Sequence, residues 1–134
     1  MCGVLAGQRG LIAQYAADYP EINYLVKMNS KTNIVGGSQD DPYSPQLYDL
    51  DAVLAMREAG VNIVGIGYTI YLGSEYESTM MAGGRRAHRP GPRQRPAGRA
   101  VDLPPRQGRQ GREGSGAHRG AAGVALCLGA DFVK

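Results

Sequence analysis

Tryptophan is absent from this chain, phenylalanine occurs once and cysteine twice in 134 residues. No apolar run approaches the roughly 20 residues that a membrane-spanning helix needs. The opening Met1-Cys2-Gly3-Val4-Leu5 has no basic flank and only a short apolar stretch, so no secretory leader is expected and a cytoplasmic setting is. Cys2 and Cys127 stand far apart and fit no metal-binding spacing. They are either a disulfide or two incidental thiols of a reducing compartment. The chain is also short for some folds: 134 residues fall well below the roughly 250 of a complete (β/α)₈ barrel.

What is present is unevenly distributed. Residues 84–119 hold ten of the twelve arginines, five of the eight prolines, no Ile, Tyr or Lys, and only Asp102 and Glu113 as acids. That tract carries a net charge of +8, and the remainder, with five bases and ten acids, carries −5. The overall charge of +3 therefore reports one segment and not the whole surface.

Outside that tract the pattern alternates. Leu5, Ile12, Tyr15, Ala16 and Tyr19 fit a loose helical face across residues 4–19, ended by Pro20. Residues 22–29 (Ile-Asn-Tyr-Leu-Val-Lys-Met-Asn) predict a buried strand with Lys27 inside it. A long polar loop follows over 30–46, a length often tied to function. Leu47, Leu50, Val53, Leu54 and Met56 mark a second helix, with Gly60 as its stop. Residues 61–71 predict a second buried strand, and Ser74 is placed to cap a third helix beginning at Glu75, whose pattern fades after Ala82. Residues 121–128 predict the end of a helix, Gly129 its stop and 130–134 a strand. Helices alternating with strands this apolar are the mark of parallel βα units. Neither complete strand is followed by a glycine-rich phosphate loop, which favours a barrel over a nucleotide-binding sheet.

The arginine-rich tract interrupts this order. It predicts a disordered basic linker, an arginine-rich nucleic-acid tail, or a stretch of GC-rich gene read out of frame. The third reading can be tried on paper. With permissible codons and each triplet begun at its second base, the tract from Arg99 onward can read Val-Leu-Trp-Ile-Tyr-Pro-Arg-Gly-Lys. The recovered text supplies the helix and apolar strand that the alternation lacks there. The expected organisation is thus barrel βα units over 1–82, an out-of-frame and disordered segment over 83–119 with no packed helix or strand across 84–119, and a helix end with a strand over 120–134.

Three stretches then carry a resemblance. Tyr24-Leu25-Val26-Lys27-Met28-Asn29 with Lys31-Thr32, the run Gly67-Tyr68-Thr69-Ile70-Tyr71-Leu72-Gly73-Ser74, and Gly129-Ala130-Asp131-Phe132-Val133-Lys134 resemble, in order and spacing, the third, fourth and sixth strands of archaeal-type class I fructose-bisphosphate aldolases. The resemblance implies an α/β fold, a partial (β/α)₈ (TIM) barrel covering about strands three to six, with the fifth disrupted. It implies a Schiff-base lyase that reversibly cleaves fructose 1,6-bisphosphate to two triose phosphates, without cofactor or metal. A phosphorylated sugar is the implied partner, with neither a specific nucleic acid nor a membrane, and the intact family member is expected to be a homo-oligomer.

Two lysines carry the implied chemistry. Lys134 closes the sixth-strand motif, where the family's lysine forms the imine. At the C-terminal end of a barrel strand it would face the active-site mouth, and desolvation there favours the neutral, nucleophilic amine. Lys27 sits in an apolar strand, where an unpaired charge is costly. It either points into the mouth, assisting with substrate phosphate or proton transfer, or reaches solvent along its stem. Tyr68 and Tyr71 are expected to serve packing. The fifth-strand tyrosine that donates a proton in the family has no counterpart in this frame, where Leu103-Pro104-Pro105 stands. Nor do the 134 residues show the first-strand Asp or the glycine-rich phosphate loops of strands seven and eight. As a fragment lacking these partners, the chain alone is expected to be inactive. A related Schiff-base enzyme acting on another phosphorylated sugar, and a nucleic-acid-binding protein using the arginines, are the rival functions.

Overall fold

The computed structural model describes residues 3–31, 43–87, 98–102 and 115–133, with backbone alone for 98–102 and 115–119. The described elements run in the order β1 (Val4–Gln8), α1 (Arg9–Tyr15), β2 (Asn23–Lys27), α2 (Leu50–Glu58), β3 (Ile63–Thr69), α3 (Glu77–Ala87), β4 (Gly98–Asp102), α4 (Ser115–Cys127) and β5 (Phe132–Val133). The strands form one sheet in the order β1-β2-β3-β4-β5, every neighbouring pair parallel. Sequential parallel strands joined through helices are the βα architecture expected from the alternation.

One face of the sheet is apolar and covered by helices. Tyr24, Val26, Met28, Ile66, Tyr68 and Ile70 are buried there in one cluster with Ile12 of α1, Val53 and Met56 of α2 and Met80 of α3. The alternate strand residues belong to the other face, since successive side chains point to opposite sides. Register places Gln8 beside Lys27 and Lys27 beside Gly67 on that second face. Gly67 is fitted to the spot, for a Cβ there would lie 2.7 Å from Leu25 Cδ2 and 3.5 Å from Lys27 Cδ. The bare backbone makes room for the lysine stem.

The turns use the chemistry expected of them. Gly60, Gly73 and Gly129 have positive φ, at 96°, 81° and 84°, a region that glycine enters without steric cost. Ser74 accepts the Tyr76 amide at 3.1 Å, and Glu77 accepts the Gly73 amide, so hydroxyl and carboxylate share the entry to α3 much as in a capping box. The helix itself starts two residues beyond the predicted Glu75. Similarly, α2 begins at Leu50, not at Leu47, which is half exposed at 51%.

Three expectations need larger correction. The helix expected over 4–19 is a strand followed by a short helix, because residues 4–8 pair in parallel with β2. Helical spacing between Leu5 and Tyr19 was coincidental: both are exposed, while Ile12 and Ala16 form the buried side of the turn. α3 also persists past Ala82 to Ala87, because Gly83 and Gly84 let its backbone lie against the Tyr68 ring. Finally, the arginine-rich tract was expected to hold no packed strand, yet residues 98–102 form β4 between β3 and β5. Main-chain pairing in a parallel ladder depends little on side-chain type, so a poor strand sequence can complete a sheet between two better ones. Residues 88–97 and 103–114 of the tract lie outside the described residues, as do 32–42 of the long loop.

Candidate active site

At the C-terminal ends of β2 and β3 the sheet face away from the helices becomes polar. Lys27 closes β2 and Thr69 closes β3, and the lysine Nζ donates to the threonine Oγ1 across the strand pair. Two residues beyond Lys27, Asn29 is fully buried. Its Nδ2 donates to the Thr69 carbonyl at 2.7 Å and to the Ser44 carbonyl at 3.0 Å, and its Oδ1 accepts the Thr69 amide at 2.8 Å. One amide thus ties together the end of β2, the end of β3 and the chain returning from the long loop. A bridge from Asn29 to Gln46 reinforces the same junction.

Beneath it, the Tyr48 hydroxyl accepts the Arg9 amide at 3.0 Å. It lies against Gln8 Oε1 at 2.8 Å and the Lys27 carbonyl. A phenol has one hydrogen to donate, so these two acceptors share it. The tyrosine joins the ends of β1 and β2, fixing the backbone from which Lys27 projects.

Lys27, Asn29, Ser30, Lys31, Ser44, Thr69 and Tyr71 line a cavity of about 150 Å³. The Lys31 ammonium sits 5.4 Å from the centroid of the Tyr71 ring, within cation–π range. The two tyrosines expected to serve packing therefore divide: Tyr68 is 2% exposed in the apolar core, whereas Tyr71 borders the polar cavity. Of the two lysines singled out in the sequence, Lys27 lines this cavity. Lys134 follows β5 directly and lies outside the described residues. Asn29, Ser44, Thr69 and Tyr48 were not singled out. The available signal was position: polar residues just past the apolar part of a barrel strand stand where barrel enzymes keep their chemistry.

Burial pushes the Tyr48 phenol above its usual value of 10.0, opposed by its hydrogen bond from Arg9. Burial likewise raises Tyr68, with Tyr43 adding to the shift and Arg86 opposing it. A tyrosine that holds its proton more tightly when folded contributes stability in full below the unfolded value, and loses it as pH rises through the folded one. Stability should therefore fall as pH climbs beyond 10. Chemical denaturation at a series of alkaline pH values checks this, and Tyr68→Phe should flatten the decline.

A parallel sheet of βα units, helices on one face and polar groups gathered at the C-terminal strand ends, defines a segment of a (β/α)₈ barrel of the enzyme type. The comparisons narrow the class. The chain is 43% identical over 141 aligned residues to the fructose-bisphosphate aldolase/6-deoxy-5-ketofructose 1-phosphate synthase of Methanocaldococcus jannaschii, a match covering all of this chain and 43% of the relative. The solved fructose-bisphosphate aldolase from Slackia heliotrinireducens is 59% identical with a TM-score of 0.86, covering 99% of this chain and 42% of that one. A solved Schiff-base-forming fructose-1,6-bisphosphate aldolase is 29% identical with a TM-score of 0.71, covering 96% and 47% respectively. No protein-family model matches the chain. The chain thus resembles fructose-bisphosphate aldolases along essentially its whole length, and it spans under half the length of the relatives it matches.

Proposed function

We propose that this stretch forms part of a Schiff-base aldolase that reversibly cleaves fructose 1,6-bisphosphate to dihydroxyacetone phosphate and glyceraldehyde 3-phosphate. The observation that carries the reading is the coincidence of two independent facts. The polar cluster at the strand ends lies where barrel enzymes act, and the strand that supplies Lys27 comes from one of the motifs on which the family resemblance rests. In the proposed chemistry Lys134 attacks the ketose carbonyl as a neutral amine. Loss of water gives an iminium, which accepts the electron pair released when the carbon–carbon bond breaks. Lys27, held by Thr69, assists with substrate phosphate or proton transfer. A cytoplasmic setting and a homo-oligomeric intact enzyme accompany this reading. Among the described residues no helix is long and apolar enough to cross a membrane.

Borohydride reduction in the presence of dihydroxyacetone phosphate tests the proposal in the intact protein carrying this stretch. A reduced adduct should appear and map to the peptide containing Lys134. An adduct on Lys27 would overturn the site assignment while leaving the chemistry, and no adduct at all would overturn both.

A second reading of the substrate follows from the Methanocaldococcus relative, whose two named activities involve a bisphosphate and a 6-deoxy monophosphate. A related aldolase or synthase on another phosphorylated sugar would share the imine and differ in what binds the far end of the chain. We further propose that residues 83–119 are translated out of frame. The arginine and proline content of the tract and the strand recovered on shifting support this, and the nucleotide sequence of the gene tests it.

A further inference from the structure

We propose that Thr69 is the positioning residue through which Lys27 acts, its hydroxyl turning the lysine ammonium toward the β5 side of the barrel mouth. This inference rests on the aldolase reading above and deepens it.

A lysine side chain starts from ordered backbone and ends on a stem with many rotamers. At Lys27 the start is pinned. The residue pairs with Gln8 of β1 and Gly67 of β3 in the ladder. The Met28 amide donates to the Gly67 carbonyl at 2.8 Å, and the Tyr48 hydroxyl meets the Lys27 carbonyl. What remains open is the direction of the stem, and β3 supplies it. Gly67 places no side chain beside the lysine, and Thr69, the next β3 residue on the same face, accepts the ammonium at Oγ1.

The acceptor is itself held. Thr69 is 5% exposed. Its amide donates to Asn29 Oδ1 at 2.8 Å, and its carbonyl accepts from Asn29 Nδ2 at 2.7 Å. Branching at Cβ restricts χ1, so the hydroxyl has few directions open to it. Because β3 lies on the β5 side of β2, a lysine drawn to Thr69 leans toward the strand that leads to Lys134. Neighbouring strands are about 4.8 Å apart, and a misplacement of about 1 Å can cost a rate roughly a hundredfold. A shift of one strand spacing therefore matters to whatever Lys27 does for the substrate.

Thr69→Val isolates this role. Both bonds from Asn29 go to the main chain of residue 69, so they survive the substitution. Valine keeps the branched shape and suits a strand. Only the hydroxyl is lost.

The test is a double-mutant cycle on kcat/KM for fructose 1,6-bisphosphate in the intact protein, with Thr69→Val, Lys27→Met and the pair. Thr69→Val alone should lower kcat/KM about 10- to 100-fold, the size of one lost hydrogen bond to a charged group. Thr69→Ser should recover most of that loss. In the Lys27→Met background, Thr69→Val should change kcat/KM by less than about twofold, because the lysine through which it works is gone. Equal losses in both backgrounds would overturn the proposal, since the hydroxyl would then act without Lys27. Full activity in Thr69→Val would overturn it too. A second arm does not depend on turnover. Crystal structures of the unsubstituted protein and Thr69→Val should show the Lys27 ammonium at Oγ1 in the first and displaced in the second. An ammonium in the same place in both would overturn the proposal whatever the activity. Failure of borohydride trapping in the unsubstituted protein would instead remove the aldolase reading, so the two failures are told apart.

Discussion

Lys134→Met should abolish cleavage of fructose 1,6-bisphosphate in the intact enzyme, a loss on the order of a thousandfold or more, as for other covalent nucleophiles. A thioether has no nitrogen with which to form an imine, so the electron sink is never made and no neighbouring group can replace it. The same substitution should remove the borohydride adduct. A coupled assay of triose phosphate release measures the first effect, and peptide mass spectrometry measures the second. Lys27→Met should keep the adduct. If Lys134→Met retained turnover, with the adduct moved to Lys27, the nucleophile would be on β2 and the assignment of roles would be reversed.

Asn29→Ala should destabilise the fold by about 3–5 kcal/mol, since each buried polar group left unpaired costs about 1–3 kcal/mol. The asparagine is fully buried, and its removal strands the Thr69 amide, the Thr69 carbonyl and the Ser44 carbonyl at once. Asn29→Asp should be no better, because a carboxylate would face two carbonyl oxygens that now receive a proton from the amide nitrogen. Urea unfolding provides the measurement, with Ser30→Ala as a control expected to stay within about 0.5 kcal/mol. An Asn29→Ala loss of under about 1 kcal/mol would mean that water satisfies the stranded groups and that the junction is not held by this side chain. Because Thr69 also receives the Lys27 ammonium, the substitution should loosen the site as well as the sheet.

How much of this was legible in the sequence differs from element to element. The apolar runs around Val26 and Ile66 predicted β2 and β3 because a parallel strand covered by helices needs little alternation. Gly60 and Gly129 marked the helix stops because the backbone there has positive φ, which few other residues accept. β1 was missed because Leu5, Ile12 and Tyr19 happen to fall at helical spacing, and five residues are too few for period alone to separate strand from helix. β4 was missed for a related reason. The run Gly-Arg-Ala-Val-Asp has little intrinsic preference for a strand, and its neighbours on either side provide the pairing.

The site shows the same division. The family motifs brought Lys27 and Lys134 forward from residue type and order alone. Nothing in a one-dimensional reading joins Asn29 to Thr69, which are forty positions apart, or Tyr48 to Gln8 and Lys27.

By itself the sequence determined β2, β3, the helix stops and the resemblance to aldolases, since each rests on local backbone preference or on a contiguous motif. Tertiary structure alone decided that residues 4–8 are a strand, that Gly67 makes room for the Lys27 stem, and that lysine, threonine and asparagine meet at one cavity. These depend on strand register, which is set by pairing between distant segments and assigns each side chain to the covered or the open face of the sheet.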